Sequence, residues 1–180
     1  MDHQIKDSAT FGGVPDSRLF GRLIAKMHRA SPTSSEARGG LFGFSVDTKL
    51  GDNLQPNNWN DDWPSFLRRR RIGHQLAMAG DADLDTHWVK TLNATDGLNK
   101  LFEGVKVKPA TLHGELWSAN IGSVAGWPLL VNPSSYFGHH EAEWGMSWCA
   151  GPFFGSEFWA GYDDLIPKAN GWRERRLVYE

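Results

Sequence analysis

The sequence predicts an α+β fold, mainly helical, with a small β-hairpin insert that carries the polar motif of the chain. Three observations predict it. Apolar residues recur at helical spacing over 17–29 and again over 85–102, with a capped stretch at 63–79 between them. Two short apolar runs in "NIGSVAGWPLLVN" meet at Ala125-Gly126, a hairpin signal. The 180 residues, 40 % of them hydrophobic, suffice for one domain with a real core.

The elements follow in order. Segment 1–16 is polar, with Gly12, Gly13 and Pro15, and is expected to be disordered; 17–180 is the folded unit. Asp16 or Ser17 caps a helix whose stripe is Leu19, Phe20, Leu23, Ile24 and Met27, running to about Arg29. "ASPTSSEARGG" has the composition of a loop. A short strand or two follows, then turns around Pro56, Asn57, Asn58 and Asn60. Asp61 or Asp62 caps the next helix, Pro64 suits its first turn, and Gly80 ends it. The basic run Arg68–Arg71 within it has the character of a solvated face. A further helix spans Asp85 to Phe102, weakened at Gly97. "VKVKPATLHG" alternates and is expected to be extended. Short helices are expected in "EAEWGMSWCAG", "GSEFWAGYDDL" and "GWRERRLVYE".

Composition narrows the function. A net charge of −2 gives no reason to expect a nucleic-acid or membrane partner. No apolar run approaches the ~18 residues of a membrane-spanning helix. The first residues resemble neither a secretory signal nor a transit peptide. With one cysteine, Cys149, no internal disulfide forms, which fits a reducing compartment or indifference to redox, and a cytoplasmic location is expected.

The chemistry concentrates in "HGELWSAN", where His113, Glu115 and Asn120 carry it. A carboxylate followed five positions later by an asparagine is the spacing of kinase catalytic loops. There the acid accepts the proton of the substrate hydroxyl and the amide holds Mg²⁺. The hairpin after Asn120 returns the chain, so Asn132 comes back near Asn120, where kinases carry a second metal ligand. A satisfied polar loop remains an alternative on these residues alone. A metal site at His139-His140-Glu141 with Glu143 is a weaker one, because adjacent histidines lack the usual ligand spacing.

Longer motifs carry a resemblance. "LFGRLIAKMHR", "FGFSVDTKLGDNLQPNNWNDDWPSFLRRRRIGHQL", "LHGELWSANIG", "LVNPSSYFGHHEAEWGMSWCAG" and "IPKANGWRERRLVY" resemble, in order, segments of the fructosamine/ketosamine-3-kinases, in particular the protein-ribulosamine 3-kinase-like members. The resemblance covers about Ser17 to Glu180. It implies the C-terminal lobe of a protein-kinase-like, aminoglycoside-kinase-like fold. It also implies ATP and Mg²⁺, and phosphorylation of the 3-hydroxyl of ketosamines on glycated lysines, with glycated proteins or small ketosamines as partners and deglycation as the result. Position by position, Glu115 takes the place of the catalytic base, supported by His113, and Asn120 and Asn132 take the metal-ligand places. Trp59, Asp62, Trp63 and Trp117 fall in motifs expected to shape the sugar cleft.

The chain departs from the family pattern at three points. Glu115 and Asn132 stand where the family carries aspartates. Only 16 residues precede the first helix and none forms a glycine-rich phosphate cradle, so the N-terminal lobe is expected to be absent. These departures leave open a second reading, a catalytically dead family member that binds glycated ligands or a partner protein.

Overall fold

The structure, a computed structural model, describes residues 10–11, 14, 16–149 and 154–180. Helix α1 (Ser17–Arg29) starts where the Asp16 carboxylate accepts the Leu19 N–H at 2.8 Å. Such a cap stabilises a helix by about 1 kcal/mol. Lys26 and Arg29 in its last turn complement the negative end of the dipole. It packs closely on α6 (Ser156–Asp163). A β-carbon on Gly21 would lie 2.1 Å from the Phe158 carbonyl oxygen, and one on Gly161 would lie 2.1 Å from that of Arg18. The two glycines therefore permit the backbones to approach.

Segment 35–38, inside the predicted loop, forms a short helix α2 (Ser35–Arg38). Strands β2 (Thr48–Leu50) and β3 (Asn53–Gln55) make a hairpin. The helix expected over 63–79 is continuous in extent but composite. It runs through α3 (Trp63–Phe66), a π-helical segment Leu67–Ile72 and α4 (Gly73–Ala79), and ends at Gly80 with φ 60°. The π-helical segment corrects the reading of 68–71 as a solvated face. Arg71 turns inward, its guanidinium 4.0 Å from the Tyr136 ring centre, donating to Pro56 O at 2.9 Å and Asn57 Oδ1 at 2.6 Å. An aromatic face and two oxygen acceptors replace the water it gives up.

Helix α5 (Ala82–Ala94) begins earlier than expected because the Asp81 carboxylate accepts from Asp83 and Leu84. It stops before Gly97. Asp96, Gly97 and Leu98 all have positive φ, and a 3-10 turn covers Asn99–Phe102.

Strand β4 (Ala110–Leu112) is all that is regular in "VKVKPATLHG" and pairs antiparallel with β7 (Tyr136–Gly138). The predicted hairpin is β5 (Ile121–Val124) and β6 (Trp127–Leu130), turning at Ala125 and Gly126 with φ 49° and 81°. Its outer edge carries β1 (Thr10–Phe11), in register Thr10↔Ser123. This corrects the expected disorder of 1–16 at these two residues: the open edge of β5 offers backbone partners, and Thr10 Oγ1 lies 3.0 Å from Ser123 Oγ. Residues 1–9, 12, 13 and 15 lie outside the described residues. A 3-10 segment His140–Cys149, α6 and α7 (Trp172–Tyr179) complete the chain.

Two apolar cores result. One gathers Phe20, Ile24, Leu116, Ile121, Trp144 and Phe158; the other gathers Phe42, Trp63, Phe66, Leu98, Leu112 and Tyr136. Leu112 and Leu116 are both 0 % exposed, one in each core. The polar turn His113–Glu115 is therefore strung between the two cores.

Candidate active site

The turn is fixed residue by residue. Gly114 has φ 81°, and a β-carbon there would lie 2.2 Å from the Ser134 carbonyl oxygen. The Ser134 N–H donates to His113 O at 2.9 Å. On the other side the Glu143 carboxylate accepts the His113 N–H at 2.6 Å and the Gly114 N–H at 2.9 Å. The His113 ring donates from Nε2 to Val131 O at 2.9 Å and accepts the Glu115 N–H on Nδ1 at 3.3 Å, which sets its tautomer.

The three residues of the kinase-like spacing come together. Asn120, 5 % exposed, donates from Nδ2 to Glu115 O at 2.9 Å, leaving its Oδ1 free of that bond. The Val131 N–H bonds Asn120 O at 3.1 Å, so the hairpin closes and delivers Asn132 to the turn. Asn132 takes φ 53°, a left-handed conformation that asparagine tolerates better than most residues. Its Nδ2 donates to Glu115 Oε2 at 3.1 Å. The cluster thus holds two side-chain amides and one carboxylate, groups whose oxygens are of the hard type that suits Mg²⁺, with a single negative charge; the hydrogen bonds seen within it use the amide nitrogens.

The expected cleft residues divide. Trp117 is half-buried, and its indole Nε1 is a buried donor without a partner among the described residues. Trp59 stacks on Phe137 at 6.2 Å. Asp62 is exposed and caps α3 by accepting the Ser65 N–H at 2.8 Å. Trp63 is a correction: it is 1 % exposed, belongs to a core, and donates its indole N–H to the Tyr179 hydroxyl at 2.8 Å. Trp63 and Asp62 border an open depression of about 560 Å³ whose walls include none of Glu115, Asn120 and Asn132. Another depression, about 510 Å³, reaches the turn at Gly114 between Gln55, Arg71 and Met146.

The alternative metal cluster is a hydrogen-bonded network instead. Ligand atoms of His139, His140 and Glu141 do lie within 4.8 Å of one another. Both Glu141 oxygens, however, accept from Arg175, from Nε at 2.7 Å and Nη2 at 2.8 Å. Arg175 is 0 % exposed and also donates to Leu101 O and Asn170 O. His139 Nδ1 meets the Tyr179 hydroxyl at 2.9 Å, and His140 Nδ1 meets that of Tyr162 at 3.2 Å. Burial, then neighbouring positive groups, push His139 well below the usual imidazole range and His140 down to about 3. Burial likewise raises the Tyr162 and Tyr179 hydroxyls. Burial alone would raise the Glu143 carboxyl, but the His28 ring and the N–H groups of Gly114 and His113 outweigh it and hold it low.

Sequence reasoning missed Glu143 and His28 as parts of the site. The available signal was "EAEWG", where two acids flank an alanine in an apolar context. Buried acids need donors, and an N–H-rich glycine turn supplies them.

The comparisons with known proteins agree with the motifs. The fructosamine kinase family model matches residues 9–180. A protein-ribulosamine 3-kinase, chloroplastic, of Oryza sativa subsp. indica is 39 % identical over 169 residues, covering 91 % of this chain and 46 % of that protein. Its namesake in Arabidopsis thaliana is 39 % identical over 178 residues, covering 97 % and 52 %. Ketosamine-3-kinase of Mus musculus is 33 % identical over 171 residues, covering 93 % and 55 %. The chain thus spans about half the length of the curated relatives it matches. A crystal structure assigned as a fructosamine-3-kinase from Haemophilus somnus 129PT superposes with a TM-score of 0.78 at 26 % identity, over 96 % of this chain and 56 % of that one. One from Thermobifida fusca YX-ER1 gives 0.76 at 25 % identity, over 97 % and 58 %. With that fold and those relatives, the chain belongs to the fructosamine kinase family.

Proposed function

We propose that residues 17–180 act as the acceptor-activating lobe of an ATP-dependent ketosamine 3-kinase. The substrate is a ribulosamine or fructosamine on a lysine of a glycated protein, or a small ketosamine, and the outcome is deglycation. Glu115 accepts the proton of the substrate 3-hydroxyl as its oxygen attacks the γ-phosphorus of ATP. The bond to the β–γ bridging oxygen breaks, and ADP leaves. Asn120 and Asn132 would hold Mg²⁺ through their amide oxygens, and the ion would supply positive charge to the phosphates. His113 holds the backbone of Glu115, and the half-buried Trp117 ring offers an apolar face to the sugar. The single cysteine fits a reducing compartment, where the proposal places the chain.

One observation carries this reading. The hairpin brings Asn132 to the Glu115 carboxylate while Asn120 braces the Glu115 carbonyl, so base and both ligand candidates share one cluster. The test is phosphoryl transfer to fructosamine-lysine or ribulosamine-lysine with Mg·ATP, followed by phosphorus resonance. It is run on the chain alone and on the chain fused behind the N-terminal half of the Arabidopsis relative. A 3-phosphoketosamine from the fusion, lost in Glu115→Gln, supports the proposal. ADP release that Glu115→Gln leaves intact overturns it.

A further inference from the structure

We propose that the basic depression between the end of α1 and segment 105–109 is a binding site for a phosphorylated sugar or polyol. It is separate from the Glu115 cluster, none of whose three residues lines it, and it does not depend on the kinase reading.

The depression holds about 420 Å³. Arg29 and Ser31 line it from the end of α1, Lys106, Lys108 and Pro109 from the approach to β4, and His140 from the chain after β7. No carboxylate lines it among the described residues. Lys26 extends the positive charge through an adjoining hollow of about 350 Å³ that shares Arg29 and Ala30. None of these four cations belongs to an ion pair among the described residues, whereas Arg18, Arg22, Lys168, Arg175 and Arg176 all do. The chain as a whole is at −2. Neighbouring cations without a counter-charge repel one another, and an anion among them relieves that repulsion.

The backbone sorts the charges. Segment 105–108 alternates valine and lysine, and the two kinds face different depressions. Val105 and Val107 line the one beside Trp63, with four acids, Asp61, Asp62, Asp96 and Glu103, and a single lysine, Lys100. Lys106 and Lys108 line the basic one. Glu103, the acid nearest to them in sequence, is thereby kept out of it.

The two walls call for different chemistry. The exposed lysine ammonium groups suit a phosphate dianion. The carboxyl end of α1 carries about half a negative charge and carbonyls without helical partners, which turn an anion away but accept hydroxyl protons. Ser31 adds a hydroxyl at that wall. His140, kept neutral by burial and nearby positive groups, adds an uncharged ring. A phosphate at the lysines with sugar hydroxyls at the helix end meets both walls, and free phosphate meets only one.

The test uses the chain itself with glucose 6-phosphate as probe, at low ionic strength, followed by amide chemical shifts. Shifts at Ala30, Ser31, Lys106 and Lys108 are expected to saturate with a dissociation constant below about 1 mM. Inorganic phosphate should move the same amides at least about 3-fold more weakly, and glucose should not move them. Lys106→Glu with Lys108→Glu should weaken the probe by at least about 10-fold. Lys90→Glu with Arg173→Glu makes the same change of net charge at exposed positions elsewhere and should alter its affinity by less than about 2-fold. If the double lysine variant does not fold, Arg29→Gln takes its place, with a loss of about 3-fold expected. Amides unmoved at about 10 mM probe overturn the site. Equal weakening by the distant pair of substitutions reduces the effect to net charge and overturns it as well. Inorganic phosphate binding as tightly as glucose 6-phosphate overturns the sugar assignment, and so does a glutamate-rich peptide that binds the same amides more tightly than the probe.

Discussion

The Asn132 amide donates to the Glu115 carboxylate across 3.1 Å. The motif resemblance sets both residues at positions where aspartates are expected, and here they satisfy each other. The longer glutamate reaches the returning strand, and the amide meets it with a donor rather than a second negative charge. Two acids at that distance would force one to hold a proton or both to share a cation.

It follows that the two substitutions are coupled. Asn132→Asp alone places like charges together, and is expected to lower the melting temperature in chelator. Millimolar Mg²⁺ should recover it, because the cluster then carries two negative charges. In Asn132→Asp with Glu115→Asp the loss should be smaller. The double-mutant cycle, measured by urea denaturation, should give a coupling of about 0.5–3 kcal/mol. A coupling indistinguishable from zero would mean the hydrogen bond contributes nothing.

The turn leaves no room at Gly114. Gly114→Ala combines a left-handed conformation, at about 1–2 kcal/mol, with overlap on the Ser134 carbonyl, at about 1–3 kcal/mol. Equilibrium denaturation should show about 2–5 kcal/mol lost. Gly126→Ala, with positive φ but open space, should lose only the first part.

The buried Arg175–Glu141 pair makes a different prediction. Arg175→Met strands a 2 %-exposed carboxylate and is expected to cost about 3–5 kcal/mol. Adding Glu141→Leu should return part of that loss, since no charge then remains to be desolvated. A double variant less stable than Arg175→Met, in guanidinium denaturation, would contradict this.

Stability should also fall with acid in a defined order. His139 and His140 are held below the usual 6.5, so between their folded and unfolded values the unfolded chain binds more protons. Their contribution is complete above pH 6.5 and is lost as pH drops, for His140 down to about 3. Each histidine accounts for up to about 1.4 kcal/mol per pH unit. Glu143, also depressed, adds its loss only below about pH 4.5. Denaturation at a series of pH values should show the slope between pH 6 and 5, and His140→Gln should flatten it.

Local signals were legible in the sequence, and distant partners were not. Helix α1 was readable because its cap and its stripe lie within 13 residues. The hairpin was readable because Ala125-Gly126 sets its own turn. The convergence of Glu115, Asn120 and Asn132 followed from the hairpin. Arg71 and Arg175 were not readable, because each sits among other arginines and is singled out by what lies far along the chain. Arg71 is chosen by Tyr136; Arg175 is chosen by Glu141, 34 residues away. Strand β1 needs an edge more than 100 residues distant, with Thr10 and Ser123 separated by 113. Among the tryptophans, composition could not separate Trp63, filling a core, from Trp117, with a buried N–H left over.

The placement of Leu112 and Leu116 in separate cores makes Glu115 a gauge of how those cores sit. Three residues span the seam, and each allows at most about 3.5 Å of extended chain. Any slip of one core against the other, from repacking at Phe158 or at Phe66, has no slack to absorb it and arrives at Glu115 as a change of aim. Sequence drift deep in either core is thereby policed by the chemistry between them.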